Sequence, residues 1–559
     1  MSKKVTRRQA LLGASAALLL PVAVPSLACR SVRLQTKKHN SIFLHGIASG
    51  DPDQSSVVIW TRVSDPAPSV AVHWQVATDP DFADLQAQGD FKTDAKRDYT
   101  VKIVVEKLAP GRQYFYRFAA KGSTSAVGST RTLPTGHVEK LVLAVASCSN
   151  YAFGHFNGYA EIASDPTIDF VVHLGDYIYE HGHEGYGGEF GKRIGRNHHP
   201  RHEILTLDDY RARHAQYKTD PSSLAMHARH PLIVIWDDHE TANNPWMGGA
   251  KNHQVEEEGS WLDRRAAAMQ AYFEWLPIRD PVDASAPEKY WRHYKFGDLA
   301  SLITLESRHT GRSLQIDYDF EKITTFEEAQ EFLQKVIGAP ERTVLSSEME
   351  SFLQSALAES VQSGRRWRVI GNQSIMAKTL SPKLDEPLFE QLDSEMNEDS
   401  LEMLAQLRKM GEFELPGDLD AWDGYPAARE HFYQIANDVS AQDLLVLTGD
   451  SHINWTNQLY DDSGQPMGLE LGTPGISSRP SLSELGSEGL RRFDELMISS
   501  NREVNWVNAH HRGYMRVQLD HHGVHADHVS LSTVEEAEYT ARILHSVDIV
   551  RDGSTLRYT

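Results

Sequence analysis

Six short apolar runs in this chain each stop at a polar cluster, and that recurrence limits the fold more than any single residue does. Leu141–Ala146 runs into Ser147 and Cys148. Ile168–Val172 leads through His173, Leu174 and Gly175 to Asp176, with Tyr179 and Glu180 just beyond. His230–Trp236 ends in Asp237-Asp238-His239-Glu240, and Leu299–Leu305 in Glu306-Ser307-Arg308. Trp367–Ile370 ends in Gly371-Asn372-Gln373, and Asp443–Leu447 in Thr448-Gly449-Asp450-Ser451-His452. Runs this short and this apolar predict strands buried on both faces, and helical patterns lie between them. Open α/β sheets collect their chemistry at the carboxyl ends of the strands. The six exits are therefore expected to converge on one crevice.

The donor types at those exits sort by hardness. Asp176, Asp238 and Asp450 offer only carboxylate oxygen, which suits calcium or magnesium better than zinc. Cys148, Tyr179 and His452 add a thiolate, a phenolate and an imidazole, a set that suits a transition metal such as iron. Asp176 can serve both cations as a bridge, and such a pair suits a two-metal phosphoester site. Taken singly each residue also has a plain structural reading. Cys148 would be a buried core thiol, Asp176 a turn residue bonded to backbone amides, His239 a helix-entry residue, and Arg308 a partner of Glu306.

Charge limits the function classes. The 559 residues carry a formal net charge of −21. Residues 1–28 hold Lys3, Lys4, Arg7 and Arg8 and no acid, so the remainder stands four charges lower, at −25. A body that acidic does not attract nucleic acid through its mean field, and no nucleic-acid partner is expected. An anionic substrate then needs local positive charge, which bound metal supplies. The two cysteines, Cys29 and Cys148, make no disulfide framework.

Four segments are expected along the chain. Residues 1–28 form a twin-arginine signal: Thr6-Arg7-Arg8-Gln9-Ala10-Leu11-Leu12 precedes an apolar run too short to span a bilayer, and Ser26-Leu27-Ala28 offers small residues for cleavage. This implies passage through the twin-arginine translocase to the periplasm, cell surface or medium, with Cys29 a candidate lipid anchor. Residues 41–134 hold strand-like segments such as Val57–Trp60, Tyr99–Val105 and Tyr114–Phe118, a β-sandwich pattern resembling fibronectin type III or immunoglobulin-like modules. Residues 135–530 form the catalytic domain and 531–559 a C-terminal extension. The Gly- and His-rich stretch from His181 to His202 is expected to be a mobile flap, and Ser347 with Glu350 to box the start of a helix.

As a set, these motifs resemble the alkaline phosphatase D (PhoD-like) family of metallophosphatases. The residues that carry the resemblance include Gly46–Pro52, Trp60-Thr61-Arg62, Ser147-Cys148 and His173–Glu180. They continue through Asp209–Arg213, Trp236–Glu240 with Asn243-Asn244, Trp422–Pro426 and Thr448–His452. The resemblance implies a two-sheet αββα core with a β-sandwich in front, a ferric ion with calcium, and alkaline hydrolysis of phosphate mono- or diesters. It implies that Cys148, Asp176, Tyr179 and His452 hold iron. Asp176, Asp238 and Asp450 would hold calcium, with Asn244 a further calcium candidate. It matches His239 to a histidine that steadies phosphate or protonates the leaving group. Arg308 and Asn372 are expected to bind non-bridging phosphoryl oxygens. Glu306, where Asp is usual, and Gly475, where Ser is common, are expected near the substrate rim. The rival readings are a nuclease or lipid-headgroup phosphodiesterase on the same metal site, or a non-catalytic cell-wall binding protein.

Overall fold

The computed structural model describes residues 42–65, 67–384 and 398–559. The twin-arginine segment and Cys29 lie outside the described residues. All six expected strands form: Lys140–Ala146, Phe170–His173, Leu232–Val234, Ala300–Thr304, Trp367–Gly371 and Leu444–Thr448. They divide between two sheets. The first three run parallel inside a ten-stranded sheet, with Val172 opposite both Val145 and Ile233. The last three run parallel inside a seven-stranded sheet, with Val369 opposite Leu302 and Leu445.

These strands are apolar on both faces because both faces are covered. Leu143, Val145, Phe170, Val172 and Ile233 meet Leu302, Val369, Leu445 and Leu469 between the sheets. The alternate residues Val142, Ala144, Val171 and Val234 turn outward. They pack on Tyr159, Tyr210 and Tyr272 of the helices Asn157–Ser164, Leu207–Tyr217 and Trp261–Trp275. On the other side Ile303, Ile370 and Val446 pack on Leu353, Leu357 and Phe432 of Ser347–Gln362 and Pro426–Asp438. Each buried Val, Leu, Ile or Phe side chain among them contributes about 1.5–3 kcal/mol. The architecture is the αββα sandwich that the resemblance implies.

Helix starts follow capping chemistry. Thr206 and Asp209 box the helix Leu207–Tyr217 reciprocally. The cap of Ser347–Gln362 is Ser346, whose hydroxyl accepts from the Met349 amide at 3.2 Å. The box expected at Ser347 and Glu350 does not form, because the adjacent Ser346 takes the capping position and places Met349, which cannot reciprocate, at the third helical residue.

The N-terminal stretch is not a free-standing module. Its strands Ile47–Gly50, Val57–Arg62 and Thr100–Val105 continue the ten-stranded sheet, with Gly50 pairing in parallel with Leu232. A five-stranded sheet faces them, and Val57 and Ile59 pack against its Val72, Tyr116 and Phe118. Trp60 points the other way, 5.8 Å from the Trp275 ring, and its Nε1 donates to the Glu274 carbonyl at 2.8 Å. At the opposite edge, Ala541–Asp552 and Thr555–Tyr558 are further strands of the same sheet. Tyr558 Oη donates to the carbonyls of Asn457 and Glu470 at 3.0 and 3.2 Å, tying that edge to the second sheet. Among the described residues, no helix is long and apolar enough to cross a membrane.

Candidate active site

The carboxyl ends of the two sets of parallel strands open on a cavity of about 680 Å³. Asp176, Asp238, His239, Asn244, Asp450 and His452 line one part of it. Ile375, Ile453, Phe493 and Met497 form a second, apolar wall.

Left-handed backbone takes over at three of the six strand exits, and again at Asn244. Cys148, Asp176, Asn244, Asp450 and His452 all have positive φ, between 51° and 58°. For residues with a Cβ this conformation costs roughly 1–2 kcal/mol each, so it persists only where surrounding structure imposes it. Gly175, at φ 101°, makes the approach possible: a Cβ there would lie 2.3 Å from that of Asp237. Gly449 plays the same part in the other sheet, since its Cβ would fall 2.7 Å from Ser147.

Two donor groups share Asp176. Ligand atoms of Cys148, Asp176 and His452 lie within 4.8 Å of one another, as do those of Asp176, Asp238 and His239. A third group joins Asp237, Asp238 and Asp450. Tyr179 Oη stands 2.8 Å from Asp176 Oδ2 and 3.2 Å from His452 Nε2, and Ser478 Oγ donates to it at 2.8 Å. His452 Nδ1 donates to the Arg479 carbonyl at 2.6 Å, which fixes the proton there and turns Nε2 toward Tyr179.

The electrostatics ask for cations. Burial, and after it the neighbouring Asp238, push the Asp176 carboxyl well above the usual range. Burial and Asp237 do the same to Asp450. Burial, then Asp176, raise the Cys148 thiol, and burial, then Asp176, raise the Tyr179 phenol. Burial holds His452 down to about 4, so its imidazole is neutral and able to ligate. Asp237 Oδ2 is buried with no hydrogen-bond partner. Carboxylates, a thiol, a phenol and a neutral imidazole packed this closely form a donor set that a cation pair satisfies.

His239 stands apart from the ligands electrostatically. Burial acts to lower its pKa, but Asp238, Glu180 and Asp176 overcome this and raise it well above the ordinary value. Its Nδ1 donates to Glu180 Oε2 at 2.6 Å, and its ring stacks on Tyr179 with centroids 4.2 Å apart. Glu180 Oε1 accepts from the Asn243 amide and from Asn252 Nδ2, at 2.8 and 2.9 Å. Asn244 donates its backbone amide to Asp238 Oδ2 at 3.0 Å, and its side chain to Gln315.

Two expected phosphate binders are not on the cavity wall. Asn372 is fully buried, its Nδ2 donating to the Ser374 carbonyl at 2.6 Å and its Oδ1 accepting from Trp422 at 3.3 Å. Arg308 is also fully buried, behind the carboxylates. Its Nε donates to Asp237 at 2.5 Å, its Nη1 to Asp420, and its Nη2 lies 3.6 Å from Asp450. Glu306 and Gly475 are not rim residues either. Glu306 accepts from Trp236 and from the amides of Arg308, His309 and Thr310. A Cβ on Gly475 would lie 2.8 Å from the Ser478 carbonyl, so close backbone packing explains the glycine. The stretch 181–202 is packed rather than bare. It contains the helix Gly188–Ile194, His198 is buried, Arg196 pairs with Asp220 at 3.0 Å, and His181 and Tyr186 line the cavity.

Comparison with known proteins decides the family. A model described as "PhoD-like phosphatase" matches residues 143–528. The chain belongs to the PhoD-like phosphatase family. A second model, "PhoD-like phosphatase, N-terminal domain", matches residues 28–134. Alkaline phosphatase D of Bacillus subtilis (strain 168) is 32% identical over 510 residues, covering 88% of this chain and 78% of that protein. A solved structure described as "Structure of PhoD" superposes at a TM-score of 0.74 with 30% identity, covering 94% of this chain and 93% of the other. This member is therefore a phosphoric ester hydrolase that depends on metal.

Several residues around the PhoD-like centre had no assigned role in the sequence reading. Glu180 holds His239. Glu240 accepts from the amides of Asp176, Tyr177 and Asp237, and so fixes both strand exits together. Asp420 lines the cavity while pairing with Arg308 and Arg312. Both glutamates stand inside motifs the sequence displays, but nothing in their spacing distinguishes a residue that holds a ligand from a ligand itself.

Proposed function

We propose that the chain is an exported alkaline phosphatase and phosphodiesterase that hydrolyses phosphate mono- or diesters with a metal-activated water at an iron–calcium site. The observation that carries this reading is the sharing of Asp176 between a group with thiolate, phenolate and imidazole character and a group with carboxylates. Cys148, Asp176, Tyr179 and His452 would hold iron, and Asp176, Asp238 and Asp450, with Asn244, would hold calcium. When bound, such a pair clamps phosphoryl oxygens and lowers the pKa of an attacking water.

The chain's own groups do the rest. The imidazolium of His239, oriented by Glu180, presents Nε2 to the cavity and gives up that proton to the leaving oxygen. Arg308 supplies fixed positive charge behind Asp237, Asp420 and Asp450, which keeps the carboxylates together before and after turnover. The apolar wall of Ile375, Ile453, Phe493 and Met497 favours, as a second reading, an ester with an apolar substituent such as a lipid headgroup ester. A polyanionic nucleic acid fits the acidic body less well.

Elemental analysis combined with a chromogenic phosphate-ester assay tests the metal reading. Iron and calcium are expected in the active protein, with a visible charge-transfer band from Tyr179 and Cys148. An active, colourless preparation holding stoichiometric zinc and no iron would overturn it. Export is tested by replacing Arg7 and Arg8 with lysine, which is expected to retain the protein in the cytoplasm.

A further inference from the structure

A second cluster of metal-binding character stands at the opposite edge of the sheets. His137 precedes the strand Lys140–Ala146, Asp298 precedes Ala300–Thr304, and His521 follows Gly513–Asp520. Gly513–Asp520 runs antiparallel to Lys140–Ala146, with Asp520 opposite Lys140, so all three residues meet at the amino ends of the parallel strands. The catalytic cavity opens at their carboxyl ends. The cluster thus draws on both sheets: Asp298 comes from the seven-stranded one, and His137 and His521 from loops of the ten-stranded one.

The backbone already holds the three together. The Asp298 amide donates to the Gly136 carbonyl at 2.9 Å, and the Val138 amide donates to Asp298 Oδ1 at 3.0 Å. His137 Nδ1 lies 2.9 Å from Asp298 Oδ2, and His521 Nε2 lies 3.4 Å from Asp298 Oδ1. The two imidazole rings stack in parallel, 4.9 Å between centroids and 16° between planes. One donor atom of each residue falls within 4.8 Å of the other two. His521 Nε2 is buried as an atom and has no hydrogen-bond partner, although it faces the carboxylate. A lone buried ring nitrogen aimed at a carboxylate, beside a second imidazole, is an arrangement completed by a cation.

We propose that His137, Asp298 and His521 bind one zinc ion, or a related borderline transition-metal ion, as a clamp between the two sheets. Two imidazoles and one carboxylate are borderline donors that favour zinc over calcium or magnesium. Tetrahedral zinc bonds of about 2.0–2.1 Å place ligand atoms roughly 3.3 Å apart. His137 Nδ1, 2.9 Å from Oδ2, and His521 Nε2, 3.4 Å from Oδ1, flank the two oxygens of the Asp298 carboxylate, and one donor atom of each residue lies within reach of a shared ion. His137, with 66% of its side chain exposed, leaves a path for the metal and room for water as the fourth ligand. Since none of these residues touches the catalytic cavity, this metal acts on the fold and not on the ester.

The test uses the full chain. Wild type, His137→Gln, and the double variant His137→Gln/His521→Gln are equilibrated with zinc chloride, freed of excess, and assayed for bound zinc per chain. The wild type is expected to hold one zinc more than either variant. Zinc should raise the thermal midpoint of the wild type more than that of the variants. Hydrolysis of a chromogenic phosphate ester by the proteins as purified should stay the same. Because His137 is exposed, its single variant keeps the proposal testable if the double variant folds poorly. Equal zinc stoichiometry in wild type and His137→Gln would overturn the proposal. So would a loss of ester hydrolysis in step with the zinc, which would place the lost ion in the catalytic centre.

Discussion

The two sheets contribute unequally to the cavity, and their difference separates polar exits that carry ligands from exits that only look alike. From the ten-stranded sheet two exits line it, with Asp176 and with Asp238 and His239, and Cys148 and Tyr179 stand fully buried beside Asp176. From the seven-stranded sheet only the exit at Asp450 and His452 lines it. Asn372 spends its side-chain polar atoms inside the protein, and Arg308 is buried with Nε and Nη1 bonded to Asp237 and Asp420 while Nη2 has no hydrogen-bond partner. Backbone conformation follows the division only in part, since Asp238 and His239 reach the cavity without positive φ. Cys148, Asp176, Asp450 and His452 sit at positive φ, whereas Arg308 and Asn372 do not.

Four substitutions would break or sharpen that contrast. The largest effect belongs to Asp176→Ala, which removes the residue shared by two donor groups. Turnover should fall by at least about 10³-fold, and elemental analysis should show both metals depleted. Retention of full metal would contradict the bridge. His239→Ala comes next, with turnover down roughly 10²- to 10⁴-fold while metal and fold persist. The deficit should shrink for esters whose leaving groups need no proton, and an equal deficit for all esters would mean that His239 only positions phosphate.

Glu180→Gln acts through His239 and should cost about 10- to 100-fold. It also has a signed pH signature. Glu180 is one of the carboxylates that raise His239, so removing its charge lowers the histidine's pKa. The acid form is then lost sooner, and the alkaline limb of the pH–rate profile should move to lower pH. An unmoved limb would show that His239 is not the acid. The smallest effect is expected for Asn372→Ala. Its amide bonds only to Ser374 and Trp422, so about 1–3 kcal/mol of stability should go, read by denaturant unfolding. Turnover per folded molecule should hold within a few-fold, and a collapse in turnover would return Asn372 to the phosphate.

Much of this was legible in the sequence for a physical reason. Parallel strands buried on both faces are nearly continuous apolar runs, so the six strands and their exits declare themselves locally. What stayed hidden depends on pairing at a distance. Whether Asn372 points into the cavity is decided by Trp422, fifty residues away, and whether Arg308 is free is decided by Asp237 and Asp420. That the strands near Trp60 join the catalytic sheet rests on Gly50 pairing with Leu232, which no local pattern reveals.

That pairing bears on how the protein can be divided. Residues 28–134 and 143–528 match separate family models, which invites a cut between them. Such a cut would remove Gly50 and Asp51 from Leu232, leaving Leu232–Val234 as an apolar edge strand paired with Phe170–His173 alone and the Leu232 carbonyl without its Asp51 amide. It would also uncover Trp275, on which Trp60 rests. An isolated fragment beginning after residue 134 would recruit strands from other copies of itself and precipitate, so any truncated form made for crystallisation or display has to keep residues 47–62 attached.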